Sequence, residues 1–252
     1  MSGRLQHKVA VVTGAGRGIG AAIARAFIAE GARVVIAERD PATGAAMAAS
    51  TGAMFVHTDV SDPDSVASMA AAAASLGPPD ILINNAGINV FHDPLATTDA
   101  EWRRCMTVDV DGVWHCCRAL LPSMLTAGRG SIVNIASVHA FNIIPGCFPY
   151  PVAKHAVVGL TRALGIEYAP RGVRVNAIAP GYIDTPIARE YWATFPDPAA
   201  ERRKAELLHP SQRIGRPEEV AMTAVFLASD EAPFINAATI VIDGGRSVLY
   251  HE

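Results

Sequence analysis

The sequence predicts an α/β fold, a single doubly wound parallel sheet flanked by helices. Three observations carry that prediction. Short β-branched runs alternate with longer Ala-rich stretches along the whole chain. The runs are apolar throughout, as in strands covered on both faces, and strict alternation with helices implies right-handed crossovers. A glycine-rich string also stands directly between the first run and the first Ala-rich stretch.

In chain order, Lys8 to Val12 reads as the first strand and Ile19 to Glu30 as the first helix. Strands Arg33 to Ile36 and Met54 to His57 follow, short and unbroken by polar alternation, then helix Ser65 to Leu76. Strand Ile81 to Asn84 precedes a long helical stretch, Asp99 to Leu125. Strand Ser131 to Ile135, helix Val152 to Tyr168 and strand Arg174 to Ile178 keep the rhythm, and helix Glu218 to Ala228 with strand Thr239 to Ile242 closes it. The one long departure is Pro186 to Pro217, rich in proline, charge and aromatics. A segment of that length inside a compact domain is usually functional, and a lid is expected. Residues 1–252 thus read as one domain with a substrate-lid insertion at 186–217, before the last helix.

Composition narrows the function. Lys+Arg 21 against Asp+Glu 24 gives a formal net charge of −3, and 50% hydrophobic with 18% charged residues excludes a disordered chain. That balance, without a basic cluster, offers no footprint for nucleic acid or a membrane surface. No segment approaches the ~18 apolar residues of a membrane helix. Four cysteines (Cys105, Cys116, Cys117, Cys147) are too sparse for a disulfide scaffold, so a reduced, cytoplasmic protein is expected. No His/Cys/Asp cluster has metal-ligand spacing.

The string Thr13-Gly14-Ala15-Gly16-Arg17-Gly18-Ile19-Gly20 joins the first strand to the first helix. Glycines 14, 18 and 20 let the backbone turn sharply and approach a pyrophosphate, while the helix N-terminus offers free N–H groups and a positive dipole. In this strand–turn–helix setting the string marks a dinucleotide site of Rossmann type. Glu38, ending the second strand, would accept hydrogen bonds from the adenosine ribose and repel a 2′-phosphate. Arg39 and Arg17 could pair with such a phosphate. A carboxylate aimed at the ribose outweighs two mobile surface cations, so NAD is expected in preference to NADP.

Tyr150 and Lys154 stand at i and i+4 where a helix begins, so both side chains emerge on one face. Pro151 suits the first turn, where its missing N–H needs no partner. A free tyrosine, with a pKa of about 10, is ionised in only about one molecule in a thousand at pH 7. A nearby ammonium favours the phenolate and makes Tyr150 an acid or base for a ketone or alcohol. Ser137, after the fifth strand, can hold the reacting oxygen. His139, Asn142 and Cys147 would wall a substrate pocket, and Trp192, Phe195 and His209 in the insertion could close over it.

The string TGAGRGIG, Asn84-Asn85-Ala86-Gly87, Ser137, Tyr150 and Lys154 in S-x12-Y-x3-K spacing, Pro180-Gly181 and Ile242-Asp243-Gly244-Gly245 together resemble the short-chain dehydrogenase/reductase family over nearly the whole chain. The resemblance implies that Asp59-Val60 lies along the adenine and that Asn85, Ala86 and Gly87 line the cofactor. It also implies that Pro180, Gly181, Ile183 and Thr185, in the stretch Pro180 to Thr185, contact the nicotinamide carboxamide. It implies hydride transfer with a nicotinamide and a homotetramer, toward which the Ala- and Val-rich helices 99–125 and 152–168 also point. One position departs. The family places asparagine where this chain has Asp109, and the resemblance implies that this residue joins the catalytic group through a backbone carbonyl that holds a water against the lysine. The carbonyl survives the change to Asp, so Asp109 is kept as a catalytic candidate, the alternative being that its carboxylate alters helix geometry or the local titration. The segment Tyr191 to Pro198 and the polar loop are similar to bacterial members that oxidise sugars or sugar acids. An NADPH-dependent 3-oxoacyl-thioester reductase is the second reading, with Glu38 as its obstacle, and a cofactor-binding sensor is the third.

Overall fold

The computed structural model describes residues 3–250, so the four outermost positions of the expected 1–252 domain lie outside the described residues. In chain order, β1 (Val9–Thr13) runs into α1 (Gly18–Ala29), β2 (Arg33–Glu38) into α2 (Pro41–Thr51), and β3 (Met54–His57) into α3 (Pro63–Ala74). After β4 (Ile81–Asn84) come the short β5 (Phe91–His92), α4 (Asp99–Met106), a π-helical stretch at Thr107–Asp111 and α5 (Gly112–Ala127). β6 (Gly130–Ile135), the short β7 (Phe148–Pro149), α6 (Tyr150–Tyr168) and β8 (Val173–Pro180) follow. The chain then forms α7 (Pro186–Trp192), α8 (Pro198–Leu207), α9 (Pro217–Ala228) and β9 (Thr239–Ile242).

Seven strands form one sheet in the order β3-β2-β1-β4-β6-β8-β9, every neighbouring pair parallel. Successive strand side chains point to opposite faces, so each apolar run feeds two cores. Val12, Ile36 and Ile83 pack with Ile23 and Phe27 of α1 and Val220 and Val225 of α9. Val11, Val35 and Leu82 pack on the other face with Met69 of α3, Leu120 of α5 and Val157 of α6. This is the Rossmann-like architecture expected, and it explains why the strands lack polar alternation. The order turns back between β1 and β4. Ligands of open α/β sheets settle at that switch point, outside the carboxyl ends of the strands.

Three features differ from the sequence reading. Helix α2 lies where none was expected, although its start is well marked: Asp40 accepts from the Ala42 N–H at 2.9 Å and Pro41 opens the first turn. Its interior Gly44 obscured the pattern. A Cβ there would lie 2.2 Å from the Phe55 ring, so close packing on β3 demands the glycine. The stretch expected as one helix from Asp99 to Leu125 is interrupted by the π-helical turn that carries Asp109, a local widening that often marks functional sites. The expected insertion is itself helical. Thr185 and Asp197 cap α7 and α8, and Trp192, Ala205 and Ile214 bury a small apolar cluster between them. Among the described residues, no helix is long and apolar enough to cross a membrane.

Candidate functional site

A cleft of about 820 Å³ opens at the carboxyl ends of the strands, from the glycine loop at one end to Tyr150 at the other. Gly14 and Gly18 have φ of +62° and +58°, the left-handed region that glycine enters without penalty. Gly20 has a different task from the one expected. A Cβ there would fall 2.2 Å from the Gly14 carbonyl oxygen and 2.4 Å from Asn85 Nδ2, so Gly20 lies beneath the loop, off the cleft wall, and lets α1 pack against it. Asn85 completes that support, its Nδ2 donating to the Thr13 and Gly14 carbonyls at 2.9 and 3.0 Å. Thr13 Oγ1 in turn accepts the Asn85 and Ala86 N–H groups, both at 3.0 Å, and ties β1 to β4 across the switch point. Sequence reasoning missed Thr13, because only the pairing of these two strands reveals its partner.

At the glycine-loop end of the cleft, Glu38 is held by three backbone N–H groups. Its Oε2 accepts from Gly16 at 2.9 Å, and its Oε1 from Arg39 at 2.9 Å and Asp40 at 3.0 Å. The carboxylate is therefore part of the loop's own scaffold as well as a lining group. Asp59 and Val60 form the adjoining wall with Ile19 and Arg39. Burial works against the Asp59 carboxylate, but hydrogen bonds from the Ser61 side chain (2.6 Å) and backbone (2.9 Å) hold it below the ordinary range. Arg17 departs from expectation. Its guanidinium pairs with Glu190 of α7 at 2.6 Å on the exposed rim, so it joins the insertion to the glycine loop instead of standing free for a phosphate. Gly87, Pro180, Gly181, Ile183 and Thr185 line the cleft further along.

At the far end, Ser137 leaves β6 nearly buried, its hydroxyl accepting the His139 N–H at 3.2 Å. Tyr150 and Lys154 occupy one face of the first turns of α6, with Nζ 5.3 Å from the phenol ring centroid. Lys154 Nζ donates to the Ile135 carbonyl at 3.3 Å and stands 3.8 Å from Asp109 Oδ2. Phe91, from the β5–β7 ribbon, packs edge-on against Tyr150 at 5.4 Å, and His139 does so at 5.8 Å. Phe91 had no sequence signal, since a two-residue strand has no periodicity. Behind the pair runs a buried polar chain: Asn84 Nδ2 donates to Asn134 Oδ1 at 2.8 Å and Asn134 Nδ2 to Thr161 Oγ1 at 2.9 Å. Asparagines inside otherwise apolar strands were the available clue.

Burial pushes the Tyr150 phenol above its ordinary value. The Lys154 ammonium pulls it down, the Asp109 carboxylate pushes it up again, and the neighbouring Ser137 hydroxyl favours the phenolate. The net direction is upward, so Lys154 alone does not bring the phenolate within reach as the sequence suggested; burial outweighs it. Burial also opposes the Lys154 charge, but Asp109 and Tyr150 outweigh burial and hold the amine above its ordinary value. Burial, helped by Arg246, holds the His139 imidazole below its ordinary value. His139, Cys147 and Trp192 line the cleft, but Asn142 does not: it is exposed beyond the turn after Ser137. Phe195 packs on Tyr191, and His209 is buried within the 186–217 segment, its Nδ1 donating to the Ala205 carbonyl at 2.7 Å.

A glycine-loop cleft at the sheet's switch point, ending in a serine, a tyrosine and a lysine beside it, defines a nicotinamide-dependent oxidoreductase. A family model described as enoyl-(acyl carrier protein) reductase matches residues 14–247. Galactitol 2-dehydrogenase (L-tagatose-forming) of Cereibacter sphaeroides is 40% identical over 97% of each chain. Cis-4-hydroxycyclohexanecarboxylate dehydrogenase of Sinomonas cyclohexanicum is 43% identical over 96% of this chain and 98% of its own. The ligand-free structure of Thermoplasma acidophilum aldohexose dehydrogenase superposes with a TM-score of 0.93 at 35% identity, covering 100% of this chain and 98% of that one. The chain belongs to the short-chain dehydrogenase/reductase family. It is an oxidoreductase that acts on CH–OH groups, exchanging a hydride between a nicotinamide cofactor and a secondary alcohol or ketone.

Proposed function

We propose that this enzyme oxidises a small, polar secondary alcohol, a polyol, sugar or sugar acid, with NAD in preference to NADP. The observation that carries the substrate class is the polarity beside Tyr150: the His139 imidazole packs on its ring with a buried Nδ1 that has no partner among the described residues, and the Arg246 guanidinium, stacked 4.9 Å above Tyr182, also lines the cleft. Sites that bury hydrogen-bonding groups penalise substrates unable to pair them. The names of the sugar and hydroxy-acid dehydrogenases above support the same reading.

The residues present fit a dinucleotide. Gly14 and Gly18 leave the loop without side chains where a pyrophosphate would lie, and Glu38 is fixed at the ribose end. When bound, the nicotinamide supplies the two-electron acceptor or donor. The chain's own residues handle the proton. Tyr150 Oη receives it from the alcohol or returns it to the ketone, Ser137 Oγ orients the reacting oxygen, and Lys154 Nζ stabilises the phenolate. The 186–217 insertion serves as a lid, with the exposed Arg17–Glu190 pair at its rim. Incubating the protein with NAD+ or NADP+ and a panel of polyols, sugars and sugar acids should produce reduced nicotinamide with NAD+ first. Turnover confined to NADPH with 3-oxoacyl thioesters would overturn this reading and favour the acyl reductase.

A homotetramer is part of the proposal. Trp114 on α5 is 39% exposed, and Val152 and Ile166 on α6 are 38% and 70% exposed, apolar side chains that a second copy of the chain would cover. Light scattering should give four chain masses at micromolar concentration; a monomer mass would refute it.

A further inference from the structure

Asp109 is a charged residue in a place where a charge needs a reason. It is fully buried, and its Oδ1 accepts the Ile88 N–H at 2.8 Å. Its Oδ2 has no hydrogen-bond partner and faces Lys154 Nζ at 3.8 Å. Gly87 leaves room for both: a Cβ there would sit 3.1 Å from Asp109 Oδ1 and 3.4 Å from Lys154 Nζ. The π-helical stretch sets the carboxylate at this point, between α4 and α5 and against α6.

Burial pushes the Asp109 carboxyl above its ordinary value, while the Lys154 ammonium and the Ile88 N–H pull it down. A buried carboxylate without a counter-charge is costly, and an ammonium at this distance is the natural partner. We propose that Asp109 is ionised and is a positioning residue for the acid–base pair: its carboxylate holds the Lys154 ammonium in place and cancels part of the ammonium's pull on Tyr150. The inference rests on the roles proposed above for Tyr150 and Lys154. The titratable groups facing Asp109 are few. α6 contributes Lys154 and Tyr150, and α4 contributes Cys105, whose thiol burial pushes up to about 12, so it stays neutral. On α5, His115 is turned to the Val60 carbonyl at 3.1 Å, and Cys116 and Cys117 belong to the core under the sheet.

The consequence is a reaction tuned to higher pH. Alcohol oxidation needs the phenolate, so its rate rises with pH as Tyr150 ionises. A negative charge near Tyr150 delays that ionisation, and removing the charge advances it.

Asp109→Asn keeps the shape and removes the charge. In this variant the rising limb of the kcat–pH profile for alcohol oxidation is expected to move to lower pH by about one unit. NAD+ affinity, measured by fluorescence quenching, stays within a few-fold. A limb that does not move, or moves to higher pH, overturns the proposal. Carboxyl-carbon NMR of the unmodified protein supplies the second arm, which needs neither turnover nor a stable variant. Asp109 must show a carboxylate signal at neutral pH, and a protonated carboxyl there overturns the proposal whatever the fate of the proposed activity. If both arms hold but Tyr150→Phe retains turnover, the reading of the acid–base pair fails while the buried ion pair stands.

Discussion

Tyr150→Phe is expected to lower kcat by about a thousand-fold, the middle of the range that a positioned general acid or base contributes. The substitution removes one oxygen and keeps the ring. Phe91 and His139, which pack edge-on against it, keep their contacts, so folding and the shape of the pocket should survive. Nucleotide affinity should stay within a few-fold, because the glycine loop and Glu38 lie at the other end of the cleft. The measurement is steady-state turnover in both directions beside a nucleotide titration of the same preparation. A folded variant that retains most of its kcat shows that another group moves the proton. Loss of nucleotide binding in step with kcat points instead to a collapsed pocket.

Glu38→Ala should reverse the cofactor preference and weaken NAD+ as well. On the proposed reading, the carboxylate stands where a 2′-phosphate would sit. Two like charges about 4 Å apart cost on the order of 4 kcal/mol at an effective dielectric of about 20, and solvent at this half-exposed site reduces that figure. At about 1.4 kcal/mol per factor of ten, a rise in kcat/KM for NADP+ of at least tenfold is expected. Arg39 then meets the phosphate unopposed, while Arg17 helps only if it leaves Glu190. The cost to NAD+ comes from the scaffold, since alanine leaves the N–H groups of Gly16, Arg39 and Asp40 without their acceptor. Each is near water and can be resolvated in part, so a loss of about tenfold for NAD+ is expected, with a lower melting temperature. Parallel kcat/KM measurements with both cofactors decide it. An unmodified enzyme that already prefers NADP+ sinks the assignment of Glu38.

The two expectations draw on different kinds of information. Tyr150 and Lys154 were legible because they are four residues apart on one helix, and helical geometry alone puts them on one face. The glycine string was legible for the same reason, as a contiguous turn between a strand and a helix. The seven sheet strands were legible because burial on both faces leaves an unbroken apolar run in the chain itself.

What the sequence determined by itself is therefore local: the strands of a parallel sheet, the loop at its switch point, and the serine, tyrosine and lysine in their spacing. What the tertiary structure alone decided is which distant residues meet. β1 lies beside β4, so Thr13 and Asn85 clasp each other, and Gly20 becomes a packing glycine beneath the loop. The loop folds back on β2, so Gly16 donates to Glu38. α7 comes down on the loop's rim and takes Arg17. α6 packs against the π-helical turn, so Lys154 faces a buried carboxylate that the chain shows only as one acidic residue in an apolar stretch. The physical reason is one of range. Periodicity and capping depend on neighbours within a turn or a strand, whereas charge pairing and close packing depend on the order in which strands assemble, which no local pattern specifies.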